Sequence, residues 1–151
     1  MQYELVVESP VGVLTLRSDG ESLTELRFGD HGAGLQPCGV LVETARQLAE
    51  YFAGVRREFS VPLRPEGTEF QRSVWAALRS IPYGDTASYG EIADGVGNPK
   101  ACRAVGGANN RNPIAIIQPC HRVVGANGSL VGYAGGLEVK KFLLELERKY
   151  R

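Results

Sequence analysis

The hydrophobic residues of this chain change their spacing near residue 65, and this change limits the folds that are possible. Before that point apolar and polar residues mostly alternate, as in half-buried strands, except for one stretch with helical spacing at residues 40–52. After it apolar residues recur every three or four positions, as in amphipathic helices. Pro62, Pro65 and Gly67 interrupt both patterns. We therefore predict two domains, residues 1–64 and 65–151, the first mixed α/β and the second helical.

The first segment is predicted to contain three strands, a helix and a further strand. Turn signals separate the three strand runs at Ser9-Pro10, Asp19-Gly20 and Gly29-Asp30. Residues 40–52 carry apolar side chains at helical spacing, and Gly54 is placed as a C-terminal stop. Residues 58–63 predict one more short strand.

Two capping boxes mark helix starts in the second segment. Thr68 is followed by Gln71, and Ser88 by Glu91, at the spacing that satisfies two free backbone N–H groups. A third helix is predicted over residues 99–110, with Asn98 as its cap and Pro99 in its first position. Short helices joined by a glycine-containing turn are typical of a helix-turn-helix.

Two adjacent glycines, Gly106 and Gly107, lie inside the predicted third helix, where each costs about 1 kcal/mol relative to alanine. Close approach of a neighbouring helix or of a nucleic acid to the helix backbone would explain them. Lys100 and Arg103, near the start of the helix, favour the nucleic acid.

The charge of the chain is balanced overall but not locally. There are 17 basic and 17 acidic residues, yet no carboxylate occurs in residues 95–137. That window contains Lys100, Arg103, Arg111 and Arg122. It is consistent with a surface that faces a polyanion, and equally with a buried, glycine-rich segment.

Three cysteines, Cys38, Cys102 and Cys120, form no CxxC pair and so predict neither a disulfide framework nor a metal site. No signal peptide and no membrane span is recognisable, and we expect a cytoplasmic protein.

Cys120 is followed by His121, which favours a reactive thiolate. Adjacent side chains diverge, so a bridging water is the expected link between them. An inert buried cysteine beside a surface histidine is the alternative.

A strong amphipathic helix is predicted at the C-terminus, over residues 137–150. Its apolar stripe consists of Val139, Phe142, Leu143, Leu146 and Tyr150. Glu147 borders this stripe, and a carboxylate at that position needs a partner.

Together these segments resemble the 6-O-alkylguanine-DNA alkyltransferases, also called methylated-DNA-protein-cysteine methyltransferases. The resemblance covers essentially the whole chain. It is carried by RAVGGA at 103–108, NP at 112–113, PCHRV at 119–123, GYAGG at 132–136 and LLELE at 143–147. It implies an N-terminal ribonuclease-H-like domain and a C-terminal winged helix-turn-helix domain. Gln118 departs from the family, which usually has an apolar residue there.

The resemblance also implies an active site. Cys120 attacks the alkyl carbon of 6-O-alkylguanine, His121 is the base acting through water, and Glu147 orients His121. Asn112 holds the turn before the active-site segment, and Tyr133 supplies a proton to the guanine N3. The thioether formed on Cys120 has no good leaving group, so each protein molecule is expected to react once. No cofactor and no metal are expected. Whether 4-O-alkylthymine is also a substrate stays open.

The implied partner is double-stranded DNA containing the alkylated guanine, bound by a monomer, with cooperativity on DNA left open. The recognition helix enters the minor groove and the damaged base is flipped out of the stack. Arg103 fills the gap that the base leaves, and Tyr89 crowds the target phosphate. Further DNA contacts are expected from Lys100, Ala104, Gly107, Arg111 and Arg122. The base pocket is expected to include Val123, Ala134 and Gly135.

Two other functions fit parts of the sequence. A non-catalytic helix-turn-helix protein that senses damage would not need Cys120. A cysteine hydrolase acting on small molecules would turn over repeatedly, and it would leave the acid-free window and the glycine-rich helix unexplained.

Overall fold

In a computed structural model that describes all 151 residues, the chain divides into two compact units. The first unit comprises Met1–Glu66 together with Pro113–Ala115, and the second comprises Gly67–Asn112 and Ile116–Arg151. The division after residue 66 lies two positions beyond the boundary expected from the sequence. The inclusion of Pro113–Ala115 in the first unit was not predicted. None of the helices is long and apolar enough to cross a bilayer.

The first unit is built on an antiparallel meander of three strands, β1 (Tyr3–Val7), β2 (Leu14–Ser18) and β3 (Leu23–Phe28). Helix α1 (Gly39–Phe52) packs on this sheet. The core between sheet and helix contains Leu14, Leu16, Leu23, Leu26, Leu41, Leu48 and Tyr51. The predicted three strands and helix are confirmed. Gly54 has a φ of 78°, which a side chain would strain, and it follows the end of the helix as expected.

The strand predicted over residues 58–63 is wrong. Only Leu63 pairs, in a single parallel bridge with Leu23. Pro62 has no N–H to continue a ladder, although its carbonyl accepts from the Leu23 N–H at 2.8 Å.

Residues Pro113–Ala115 form a second short pairing in the first unit. The Leu26 N–H donates to the Pro113 carbonyl at 2.8 Å, and the Ala115 N–H donates to the Leu26 carbonyl at 3.0 Å. Ile114, opposite Leu26, is fully buried. The segment that leads to Cys120 is therefore anchored to β3.

The second unit contains helices α2 (Glu69–Leu78), α3 (Tyr89–Gly95), α4 (Cys102–Asn110) and α5 (Leu137–Lys149). Short strands β4 (Ala87–Ser88) and β5 (Val123–Val124) pair in parallel. Both predicted capping boxes are formed. The core of α2, α3 and α4 includes Trp75, whose indole N–H donates to the Ala108 carbonyl at 2.8 Å.

Helix α4 begins later than predicted. Pro99 and Lys100 lie in a turn that the Ala101 N–H closes on the Asn98 carbonyl at 3.0 Å. Ala101 is the N-cap, and no side chain caps the helix. The φ of proline suits the first residue of a helix, but it suits a turn equally well, and here Pro99 lies in the turn that precedes the helix.

Candidate active site

Cys120 is the first residue of a single 3-10 turn, Cys120–Arg122, which follows Pro119. The Arg122 N–H donates to the Pro119 carbonyl at 2.9 Å and closes this turn. Cys120 is 5% exposed and belongs to the apolar core of the second unit, with Val105 and Val123. The thiol therefore lies in an apolar environment.

This environment determines the resting form of the thiol. Burial raises the pKa of Cys120, and hydrogen bonds from Asn112 and Tyr133 and the charge of Lys140 offset only part of that effect. The Cys120 Sγ lies 3.7 Å from the Tyr133 hydroxyl oxygen, within hydrogen-bonding distance for sulfur. At neutral pH the resting group is the protonated thiol, so a nucleophilic role requires a base.

His121, the neighbour of Cys120 in sequence, forms a buried pair with Glu147. The His121 Nε2 lies 2.6 Å from the Glu147 Oε2, and both side chains are 0% exposed. Arg122 donates to the same carboxylate, from Nε to Oε1 at 2.8 Å and from Nη2 to Oε2 at 3.0 Å. The partner that the sequence required for Glu147 is thus a histidine and an arginine together.

The charges in this cluster follow from burial and hydrogen bonding. Burial alone would raise the pKa of Glu147, but His121 and Arg122 outweigh it and hold that pKa below its usual value. Burial lowers the pKa of His121, so the imidazole is neutral at pH 7. Because a carboxylate can only accept, we assign the imidazole proton to Nε2. The other nitrogen, Nδ1, is buried without a hydrogen bond to the protein and can accept a proton.

The structure does not support the assignment of Arg122 to DNA binding. Its side chain is 9% exposed, and besides Glu147 it donates from Nη1 to the Ile81 carbonyl at 2.7 Å. A guanidinium held on these partners is not available to a phosphate. Arg122 instead supplies the buried positive charge that keeps Glu147 ionised.

Asn112 and Gln118 close the segment that precedes Cys120. The Asn112 Nδ2 donates to the Gln118 carbonyl at 2.7 Å, and the Gln118 Nε2 donates to the Asn112 Oδ1 at 2.7 Å. Gln118 is fully buried. Between them Ile116 has a φ of 70°, a strained conformation for a β-branched residue. The reciprocal bonds hold the loop despite that strain.

The residues expected to contact DNA on and around α4 are exposed, apart from Arg122. They are Lys100, Arg103, Ala104, Gly107 and Arg111. A Cβ at Gly107 would meet nothing within 4 Å, whereas one at Gly106 would lie 3.8 Å from the half-buried Tyr89 ring. A side chain at either position would therefore fit without a clash inside the protein, so packing does not require glycine there. Gly107 faces open space.

The expected base-pocket residues differ in their surroundings. Val123 is fully buried and pairs with Ala87 in the β4–β5 sheet. Ala134 is exposed and Gly135 is partly exposed, in the loop before α5 that also carries Tyr133.

The buried face of helix α5 overlaps the predicted stripe at Leu143 but is shifted around the helix from it. Its buried residues are Lys140, Leu143, Leu144 and Glu147, whereas Phe142 is 38% exposed. The predicted stripe contains only apolar residues and therefore omits Lys140. Lys140 precedes Glu147 by seven residues, two helical turns, and this spacing is the signal that places both on one face.

Comparison with known proteins identifies relatives over both units. Residues 1–65 match the family model described as 6-O-methylguanine DNA methyltransferase, ribonuclease-like domain. Residues 69–149 match the model described as 6-O-methylguanine DNA methyltransferase, DNA binding domain.

Individual relatives agree with these models. A methylated-DNA–protein-cysteine methyltransferase of Methanosarcina acetivorans is 55% identical over 152 residues, covering 96% of this chain and 97% of the relative. One of Mycobacterium leprae is 53% identical, covering 94% and 90%. The crystal structure of Mycobacterium tuberculosis OGT in complex with DNA superposes with a TM-score of 0.91 at 50% identity, covering 98% of this chain and 94% of that one.

Proposed function

This chain belongs to the 6-O-methylguanine DNA methyltransferase family, and on that premise we propose that it repairs DNA by moving an alkyl group from guanine O6 onto Cys120. The observation that carries the proposal is the buried thiol next to a neutral histidine that a carboxylate orients. This arrangement can generate a thiolate inside an apolar pocket.

The reaction begins with proton transfer. His121 accepts the Cys120 proton on Nδ1 through a water molecule, and Glu147 holds the ring through Nε2. The resulting imidazolium is stabilised by the carboxylate, whose own charge Arg122 maintains. The thiolate that remains is a soft nucleophile suited to an sp3 carbon.

Alkyl transfer follows as an in-line displacement. A bond forms between Cys120 Sγ and the alkyl carbon, and the bond from that carbon to guanine O6 breaks. The guanine leaves with the electron pair, and the Tyr133 hydroxyl, close to the sulfur, gives a proton to N3. The product is a thioether that nothing in the site cleaves, so each molecule acts once.

The DNA is bound through α4 and its flanking turns. Exposed Lys100 and Arg111 contact phosphates, Gly107 allows the helix backbone to approach the duplex closely, and Arg103 takes the place of the flipped base. Tyr89, which lies against Gly106, crowds the phosphate of the target nucleotide. The three free cysteines fit the reducing cytoplasm that we propose as its location.

The proposal is tested by incubating the protein with a duplex that contains one 6-O-methylguanine and measuring the mass of each cysteine peptide. We expect the Cys120 peptide to gain one CH2 in a single turnover, with unmodified guanine left in the DNA. Cys120→Ala should bind the duplex and transfer nothing, whereas Cys38→Ala should react as the wild type does.

Other outcomes identify the other functions. DNA binding with an unmodified Cys120 peptide would indicate a damage sensor. Repeated turnover of a small ester or amide, without methyl transfer, would indicate a cysteine hydrolase. Either result contradicts the proposal.

A further inference from the structure

Lys140 is the one lysine that the second unit buries completely. Its residue exposure is 0%, although lysine side chains normally carry their ammonium groups to water. An ammonium removed from water is costly unless specific partners compensate it. A role for Lys140 should therefore appear in the groups that it contacts.

Two contacts of the Lys140 ammonium lie in the loop that joins β5 to α5, residues 125–136. The Nζ donates to the Val131 carbonyl at 2.9 Å. It also lies 5.9 Å from the centre of the Tyr133 ring, within the range of a cation–π interaction. The lysine thus binds this loop at two points, from a position fixed on a helix.

At this end the loop is also held by its backbone: the Gly136 N–H donates to the Tyr133 carbonyl at 3.0 Å, and the Lys140 N–H donates to the Gly136 carbonyl at 3.1 Å. Neither of these backbone bonds involves the Tyr133 side chain. Residues 131, 132 and 134 are exposed, and Gly132 and Gly136 add backbone freedom on both sides of Tyr133. The Tyr133 hydroxyl is nevertheless 3.7 Å from the Cys120 sulfur. A displacement of the loop by about 1 Å would move that hydroxyl out of place, and such misplacement costs about 100-fold in rate.

We propose that Lys140 is a positioning residue for alkyl transfer, whose ammonium fixes the 125–136 loop and so holds the Tyr133 hydroxyl beside Cys120. The inference rests on the proposed function in that Tyr133 assists the departure of the guanine.

A double-mutant cycle tests this role. The rate constant of methyl transfer is measured at saturating 6-O-methylguanine duplex for Lys140→Met, Tyr133→Phe and the double variant. We expect Lys140→Met to lower the rate about 10- to 100-fold, and the double variant to be little slower than the slower single one. Lys141→Met is the matched control, because Lys141 is 67% exposed on the same helix, and it should react at the wild-type rate.

Three outcomes of the rate measurements would overturn the inference. A wild-type rate in Lys140→Met would show that the ammonium has no role. Effects that multiply in the double variant would show that Lys140 does not act through Tyr133. Lys140→Gln, whose amide can still donate to the Val131 carbonyl, should transfer faster than Lys140→Met, and equal rates would also contradict the role.

A measurement without DNA separates this inference from the proposed function. Amide hydrogen exchange over residues 125–136 should be at least about tenfold faster in Lys140→Met than in the wild type and unchanged in Lys141→Met. Unchanged exchange in Lys140→Met contradicts the inference even if the wild type repairs DNA. Faster exchange in a protein that transfers no methyl group would leave the loop contact standing and refute the repair function. Thermal unfolding confirms that each variant is folded.

Discussion

Cys120 and His121 are neighbours in the chain, yet their side chains have different surroundings. The thiol lies in an apolar core, where burial keeps it protonated, and the imidazole is held by a carboxylate. Both groups are uncharged in the resting protein at neutral pH, because burial raises the pKa of the thiol and lowers the pKa of the imidazole.

The pH dependence of transfer should reveal His121 as the base. Its pKa lies below the ordinary 6.5, so the proton-accepting form is present at all higher pH values. We expect the wild-type rate to be constant above pH 6.5 and to fall only below it. In His121→Gln the rate should follow the thiolate fraction, rising with pH because the Cys120 pKa is raised. The measurement is the single-turnover rate across pH, and identical profiles would exclude His121 as the base.

Glu147→Gln should destabilise the protein by about 3 to 5 kcal/mol, because it leaves the Arg122 guanidinium buried without a counter-charge. The pKa of Glu147 is lowered on folding, so its contribution is fully present above the ordinary 4.5 and is lost as the pH falls toward the folded value. Urea unfolding at a series of pH values should show the two proteins converging below pH 4.5. Parallel curves would contradict this account.

At the scale of single elements, α4 combines an apolar inner face with a glycine on its open face. Val105 and Ala108 are buried, while Gly107 would tolerate a side chain without any clash inside the protein. A residue that lowers helix stability and satisfies no packing requirement is best explained by what approaches the helix from outside.

Gly107→Leu should therefore separate binding from stability. Added bulk should weaken affinity for duplex DNA by about tenfold or more, which is ~1.4 kcal/mol. Helix propensity should meanwhile raise the free energy of unfolding by up to about 1 kcal/mol. Ala76→Leu adds comparable bulk at an exposed position of α2 and serves as the control. Unchanged DNA affinity in Gly107→Leu would mean that this face does not contact the duplex.

The elements that could be predicted from sequence are those with local causes. Alternation in the first 28 residues and the capping boxes at Thr68 and Ser88 depend on neighbouring residues, and they gave the strands and the starts of α2 and α3. At the start of α4 a turn over residues 98–101 competes with the helix. Near Pro62 a single bridge forms where a regular strand was expected. Local sequence does not decide such competition.

The same distinction applies to the site. The resemblance identified Cys120, His121 and Glu147, and the structure brings His121 and Glu147 together. Arg122 and Lys140 were missed as buried residues, because long cations are usually exposed and their burial depends on partners distant in sequence, Glu147 for one and the Val131 carbonyl for the other. Only the folded chain shows those partners.

For the whole molecule, the neutral total charge conceals a difference between the two segments: residues 1–64 hold six basic and nine acidic side chains, and residues 65–151 hold eleven basic and eight acidic ones. The acid-free window offers three exposed cations, Lys100, Arg103 and Arg111, because Arg122 is neutralised by Glu147. Attraction to DNA over long distances should therefore be modest.

The salt dependence of binding should be correspondingly shallow. Each neutralised phosphate contributes about 0.9 to the slope of log K against log salt, so three cations give a slope no steeper than about −3. Titrations of duplex DNA between low and physiological potassium chloride measure it. A slope steeper than about −4 would reveal phosphate contacts beyond these three residues.

The three residues Pro113–Ala115 also determine how the protein can be divided in engineering. A fragment that begins at Gly67 would carry all of Cys120, His121 and Glu147 but would lose Leu26, the hydrogen-bonding partner of that stretch. Ile114 would become exposed, and the strained turn at Ile116 would lose the anchor on its N-terminal side. A fragment that contains Cys120, His121 and Glu147 should therefore also include strand β3, which pairs with residues 113–115.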